Sequence, residues 1–278
     1  MPQNFKMLSD EDLCDLLFTS HDQLPRPIAD EIIARSERLV QPLWSIIKDE
    51  HNWGCDSDFW SAVHASYLLG AIGGERVITP LIMSLRLSHF YDIDWIFEAL
   101  PSVFGSLGQK VIEPLKKVVL DRSNDWFIRT IALEGIAAST IKDSKYGDQV
   151  FDFVAMTMKD QTEDIDLRGM AGSILVDFCQ KRYLNSLLDF VEEEEEVMNQ
   201  SGDFLGHFGG DKNFVLGELE KGPDLNDYVK KWLSFYNEEE IVLRQKRWKR
   251  ESAWWYPLSL RWGLFKFRRA MRKKLLSK

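Results

Sequence analysis

The sequence predicts an all-α protein built from helical hairpins stacked side by side, and three observations point there. Two stretches, 61–85 and 95–119, align with each other: Gly70 with Gly105, Gly73 with Gly108, and Pro80-Leu81 with Pro114-Leu115, at separations of 35 and 34 residues. An earlier Pro42-Leu43 lies 38 residues before Pro80-Leu81. Internal similarity at this period marks a repeated supersecondary unit that buries its apolar face only against its neighbours. Within the units, apolar residues recur at three- and four-residue spacing, the period of a helix.

Taken in chain order, "SDEDLCDLLFT" (9–19) opens with a serine and acids suited to cap and start a helix. It reads as the polar-faced cap that the end of a repeat array requires. In the central unit, Ile93, Ile96, Leu100, Val103, Phe104 and Leu107 form one helical stripe over 93–107. Gly108 then supplies a residue that accepts positive φ at a helix end. Val111, Ile112, Leu115, Val118 and Val119 mark a second helix, with Pro114, like Pro80, in or near the first turn, where a missing amide costs little. Two further units begin at 125–140 and 164–180. Each carries an Arg three residues before an Ala, Arg129/Ala132 and Arg168/Ala171, with an acid just upstream, Asp125 and Asp166. Small alanines let helices approach closely, and the arginines read as structural bridges between units.

Beyond the repeats, the glutamates at 192–196 read as a solvated helix end and the glycine-rich stretch after them as a loop. "DLNDYVKKWLSFYNEEE" reads as an amphipathic helix through Leu225, Tyr228, Val229, Trp232 and Tyr236 that packs on the array or caps it. The expected organisation is a repeat array with its cap over 1–190, a loop and capping helix over 191–243, and a basic, Trp-rich amphipathic tail over 244–278.

Charge is divided sharply. From Arg244 onward there are thirteen Lys and Arg, four Trp and one acid, Glu251, a net +12. The other 243 residues hold 22 basic and 43 acidic side chains, a net −21, within a chain of net −9. Such asymmetry marks an interaction segment or a tail that docks on its own body.

The pattern Asp-x-x-x-Arg or Asp-x-Arg, then Ala, then Leu-Gly-x-x-Gly, then Pro-Leu resembles HEAT repeats, in particular the short HEAT-like repeats of phycobilin lyases, over roughly residues 27–190. More narrowly, "LFTSHDQLPRPIADEIIARSERLVQPLWSIIKD", "HASYLLGAIGGERVITPLI" and "WLSFYNEEEIVLRQKRWKRE" resemble a bacterial HEAT-like family of unknown function. The resemblance implies a right-handed α-α superhelix, a HEAT-like solenoid, with a C-terminal helical extension. Some members of that family end in a Cys-rich zinc motif. This chain has no Cys after Cys179, so that site does not carry over. HEAT-like lyases and alkylpurine DNA glycosylases are the enzymatic relatives the resemblance brings in. No lyase residue transfers, and a net-negative body repels phosphate rather than holding it.

Little in the sequence points to chemistry. "MPQNFKMLSDEDL" lacks a basic region followed by an apolar stretch, no apolar run is long enough to span a bilayer, and the three dispersed cysteines, Cys14, Cys55 and Cys179, fit reduced thiols in a cytosol. His51 and Cys55 are two ligands where zinc needs four. His64 fits a surface or inter-repeat hydrogen bond. Neither a nucleophile turn nor a dinucleotide fingerprint is present, so no catalytic, metal or cofactor residue is expected.

The expectation is therefore a cytoplasmic, non-catalytic protein-binding scaffold, with peripheral contact to an anionic membrane through the tail as the alternative. The candidate tail contacts are Arg247, Trp248, Arg250, Trp254, Trp255, Arg261, Trp262, Arg268, Arg269, Arg272 and Lys273. Leu260, Leu264, Phe267, Met271 and Leu275 form an apolar stripe beside five of these cations, as a helix on an anionic surface would. The same tail suits docking on the acidic body or on another protein. Single-stranded nucleic acid fits its aromatic and basic composition but not the −21 body.

Overall fold

The computed structural model describes residues 5–54, 59–201 and 211–251, and every regular element among them is helical. The chain falls into two compact units, Met1–Leu233 and Ser234–Lys278.

The first unit opens with α1 (Asp10–Thr19), followed by five helical hairpins. These are α2 (Arg26–Arg35) with α3 (Glu37–Lys48), α4 (Phe59–Ile72) with α5 (Ile78–Phe90), and the short α6 (Asp94–Phe97) and α7 (Leu100–Leu107) with α8 (Ile112–Leu120). Then come α9 (Trp126–Lys142) with α10 (Gly147–Lys159), α11 (Ile165–Asp177) with α12 (Leu184–Ser201), and a last helix, α13 (Lys212–Lys221). Ser9 caps α1 as the sequence predicts. Its hydroxyl accepts the Asp12 amide at 3.0 Å, and the Asp12 carboxylate accepts the Ser9 amide at 3.1 Å.

The first helices of consecutive hairpins pack against one another, α4 on α7, α7 on α9 and α9 on α11. This explains why α4 and α9 are buried nearly all round rather than along one stripe. Glycines set the approach. A Cβ on Gly70 would lie 2.5 Å from Val103 Cγ1, and one on Gly105 would lie 2.7 Å from Ala138 Cβ. Each partner stands 33 residues further along the chain, so one contact recurs in the same register. Gly73 and Gly108, at φ +71° and +66°, end the first helices of their hairpins as predicted.

The loops between hairpins repeat as well. Asp49, Asp121 and Asp160 turn their Oδ1 onto the amides of His51, Ser123 and Thr162 at 3.0–3.1 Å. Asn52 and Asn124 each donate to a carbonyl six residues back, Ile46 and Val118. Asp125 and Asp164 cap α9 and α11, each accepting an amide at 2.8 Å. The acid equivalent to Asp125 is therefore Asp164 rather than Asp166.

The two arginines bridge units, with partners other than the acids just upstream. Arg129 Nε donates to the Val119 carbonyl at 2.6 Å and its Nη2 meets Glu163 at 2.6 Å. Arg168 Nε donates to Met158 at 2.8 Å, and both its Nη atoms meet Glu193 at 2.6 Å. Each guanidinium reaches back ten residues to the preceding hairpin. Asp125 and Asp164 are occupied in capping.

Several local readings are corrected. The 93–107 stripe is two helices, because Pro101 has no amide to donate to the Phe97 carbonyl. The chain stops at Phe97 and restarts with Pro101 in the first turn of α7. Pro80 and Pro114 are each the third residue of α5 and α8, as expected, but Pro42 lies inside α3. The glutamate run is no mere solvated end, since Glu193 pairs with Arg168, Glu192 with Lys212, and Glu194 is buried. Lys212–Lys221, within what the sequence suggests is loop, is helical because Asp211 caps it. The stretch 202–210 lies outside the described residues.

The second unit holds one described α-helix, α14 (Glu238–Glu251). Acids in its first turn and bases in its last oppose the helix dipole favourably.

Candidate functional site

The first-helix face of the first unit carries Tyr67 on α4, Ser102 on α7, Glu134 on α9 and Asp177 at the end of α11. A strap, Gly222–Leu233, leaves α13 and crosses that face against the order of the hairpins. It is anchored at α11 first: the Asp224 amide donates to the Asp177 carbonyl at 2.9 Å, and the Tyr228 hydroxyl donates to Asp177 Oδ2 at 2.9 Å. The Tyr228 ring meets Phe178 edge-on at 4.7 Å. At α7, Ser102 Oγ accepts the Lys230 amide at 2.8 Å and donates to the Asp227 carbonyl at 3.2 Å. At α4, Trp232 Nε1 donates to the Tyr67 carbonyl at 3.2 Å. The strap is therefore hydrogen-bonded to the first helices of three hairpins, α11, α7 and α4, and packs against that of a fourth, α9.

This corrects the amphipathic-helix reading of 224–240. The strap holds only a 3₁₀ turn at Asn226–Tyr228, and another forms at Trp232–Tyr236. Its amides find acceptors on α7 and α11, and the Asp224 side chain takes the Asn226 amide, so no i→i−4 ladder is needed. Tyr228 and Trp232, four apart, look like a helix stripe and are instead two anchors on different hairpins. Between them the strap forms one wall of an open groove of about 220 Å³, with Gly105, Ala138 and Ile141 on the other side and Val229 from the strap.

Electrostatics under the strap are unusual. Burial pushes the half-buried Glu134 carboxyl up to about 7, with Asp177 and Asp227 adding to the shift and Lys230 opposing it. Burial likewise raises Asp177 to about 6, opposed by the Tyr228 hydrogen bond and reinforced by Asp224, Asp227 and Glu218. Burial also raises the Tyr228 hydroxyl, which stays a proton donor across the accessible range. Sequence reading missed these groups, although one signal was available: Glu134 is the sole acid in the 17-residue α9.

A second cavity, about 500 Å³, opens beside α8 and α10, where Leu120 and Met156 are 60% and 54% exposed. Arg129 and Glu163 form part of its wall.

Of the predicted tail contacts, three fall on α14. Arg247 stacks over the Trp248 ring at 5.1 Å, and Arg250 is exposed. Trp254, Trp255, Arg261, Trp262, Arg268, Arg269, Arg272 and Lys273 lie outside the described residues. Arg244, not among the candidates, is buried. It donates to the Phe235 carbonyl at 2.8 Å and lies 3.7 Å over that ring. His64 is fully buried and donates from Nε2 to the His21 carbonyl at 2.6 Å, a tie between α4 and the chain after α1. His51 is exposed beside Asp49, and Cys55 lies outside the described residues. Among the described residues, no three His, Cys, Asp or Glu side chains are placed to hold a metal ion, and no helix is long and apolar enough to cross a membrane.

No family model matches the chain, and no solved structure matches it. Among curated proteins, it is 28% identical over 112 residues to a polyamine aminopropyltransferase of Prochlorococcus marinus (strain MIT 9301). The match spans 40% of this chain and 40% of that protein's length. A likeness of that identity and span assigns no activity.

Proposed function

We propose that the chain is a non-catalytic, cytoplasmic protein-binding scaffold: a right-handed α-α superhelix of HEAT-like repeats whose acidic exterior takes a basic partner. The observation that carries this reading is the common 33-residue step from Gly70 to Val103 and from Gly105 to Ala138. Hairpins that repeat one interface build an extended surface rather than an enclosed pocket. A net −21 outside the last 35 residues steers such a surface toward cationic proteins. The immobilised full chain, offered a lysate of its source cell at about 0.1 M salt, is expected to retain a basic protein that elutes by about 0.5 M. Retention of nothing above background overturns the reading.

A second reading rests on the composition of the tail: thirteen cations and four tryptophans from Arg244 onward suit the surface of an anionic membrane. The full chain is then expected to sediment with anionic liposomes, and a chain ending at Val242 is expected to stay in solution. Equal pelleting of both removes the membrane from consideration.

A further inference from the structure

Carboxylates from three helices and the strap meet at one crossing. Glu134 belongs to α9, Asp177 to α11, Glu218 to α13, and Asp224 and Asp227 to the strap itself, with Lys230 the cation that bears on Glu134. From α7 the strap meets Ser102, which does not titrate. The strap is held by the few point contacts described above and has no ladder of its own, and Val229 is 50% exposed. A segment built this way opens at low cost compared with a packed helix.

We propose that Gly222–Leu233 is a proton-operated latch, closed over the first-helix face while Glu134 and Asp177 carry protons and released when both ionise. Closed, an ionised Glu134 faces Asp177 and Asp227 in a half-buried site. Released, both carboxyls return to water and to their ordinary acidity, so the closed form binds more protons than the open one. Acid therefore favours closure, and rising pH favours opening from the carboxyls' ordinary values, 4.5 for Glu134 and 3.8 for Asp177, up to about 7 and about 6, where the closed form titrates and the effect levels off. Tyr228 remains a donor throughout, so the anchor at Asp177 does not reverse the sign. Each unit of difference between closed and open acidity is tenfold in the opening equilibrium. With two groups shifted, the open fraction is expected to grow at least about tenfold between about pH 5 and about pH 7.5. The scaffold reading enters only in what release achieves: it frees the first-helix face at Ser102, Gly105 and Ala138 for a partner.

Hydrogen–deuterium exchange on the full chain, corrected for the intrinsic pH dependence of exchange, reads the latch without any partner. Peptides covering 224–233 are expected to lose at least about tenfold in protection from about pH 5 to about pH 7.5, while α7 peptides hold theirs. Glu134→Gln combined with Asp177→Asn keeps the shapes and an acceptor for Tyr228, and is expected to stay protected at both values. Equal protection at both pH values in the unaltered chain overturns the proposal, as does a double variant that follows the unaltered profile. If the double variant also loses protection in α7 and α9, Glu134→Gln alone decides: its pH response shrinks if the latch exists and is unchanged if it does not. Failure here leaves the pulldown result standing, and the reverse also holds.

Discussion

Arg168 grips Glu193 with both arms, each N···O distance 2.6 Å, while its Nε donates to the Met158 carbonyl at 2.8 Å. One guanidinium thus ties α11 to its own partner helix α12 and to α10 of the hairpin before. Removing it leaves a backbone carbonyl and a carboxylate without their donor. Arg168→Ala is expected to cost about 3 kcal/mol in urea denaturation at neutral pH. Arg168→Lys is expected to restore less than half, since an ammonium lacks the planar fork. Hydrogen bonds from Arg168 hold the Glu193 carboxyl below its ordinary value of 4.5. A depressed carboxylate contributes fully above that ordinary value and fades as pH falls through the folded one. The loss in Arg168→Ala should therefore shrink in acid, and equal losses at about pH 3 and about pH 7 would assign the cost to packing and the Met158 hydrogen bond rather than to the ion pair.

Gly70 touches Val103 where any Cβ would sit at 2.5 Å, but the atom in the way belongs to a side chain. Gly70→Ala is expected to destabilise by about 1–3 kcal/mol despite alanine's better helix propensity. Adding Val103→Ala should recover part of that loss, giving a favourable coupling in a double-mutant cycle. Gly105→Ala meets the Ala138 backbone as well, at 3.1 Å, and has no such rescue. A coupling near zero for the first pair would mean the helices can slide apart freely.

Ser102 satisfies two backbone groups of the strap with one hydroxyl. Ser102→Ala is expected to lower the local opening free energy of 226–231 by about 1–2 kcal/mol, with α4 and α9 unaffected. Hydrogen exchange at fixed pH measures this. A uniform loss across the first unit would instead indicate damage to α7.

Cys14 is pushed up to about 11, chiefly by burial and then by Asp10 and Asp15. At pH 8 its thiolate fraction is then on the order of 10⁻³, against roughly a quarter for an ordinary thiol. Iodoacetamide labelling followed by mass spectrometry should find Cys14 at least about tenfold slower than a small-molecule thiol control, with its rate still climbing toward pH 10. Labelling at the control rate would show that α1 exposes it.

The repeated hairpins could be read from spacing because the physics is local: glycine at a helix end, proline in a first turn, and stripes at helical period. Pro101 is a local signal of the same kind, but the apolar stripe running across it hid the break between the two helices. The strap could not be read this way. Tyr228 and Trp232 satisfy a helical period, and only acceptors supplied by Ser102 and Asp177, 128 and 47 residues away from Lys230 and Asp224, decide against a helix. Arg129 and Arg168 were legible as bridges but not in their partners, because Asp125 and Asp164 are used as caps. Glu134 offered a hint as a lone acid in an apolar helix, yet its neighbours come from segments 43 and 93 residues later, at Asp177 and Asp227.

The recurrence of one contact at a fixed stride has a genetic corollary. A segment of 35 residues, cut between equivalent points such as Gly70 and Gly105, removes a hairpin and apposes surfaces already shaped for each other. Duplicating the same segment adds one. Length is therefore a dimension along which this chain can change by whole modules, and its descendants can differ in reach without any new interface having to arise.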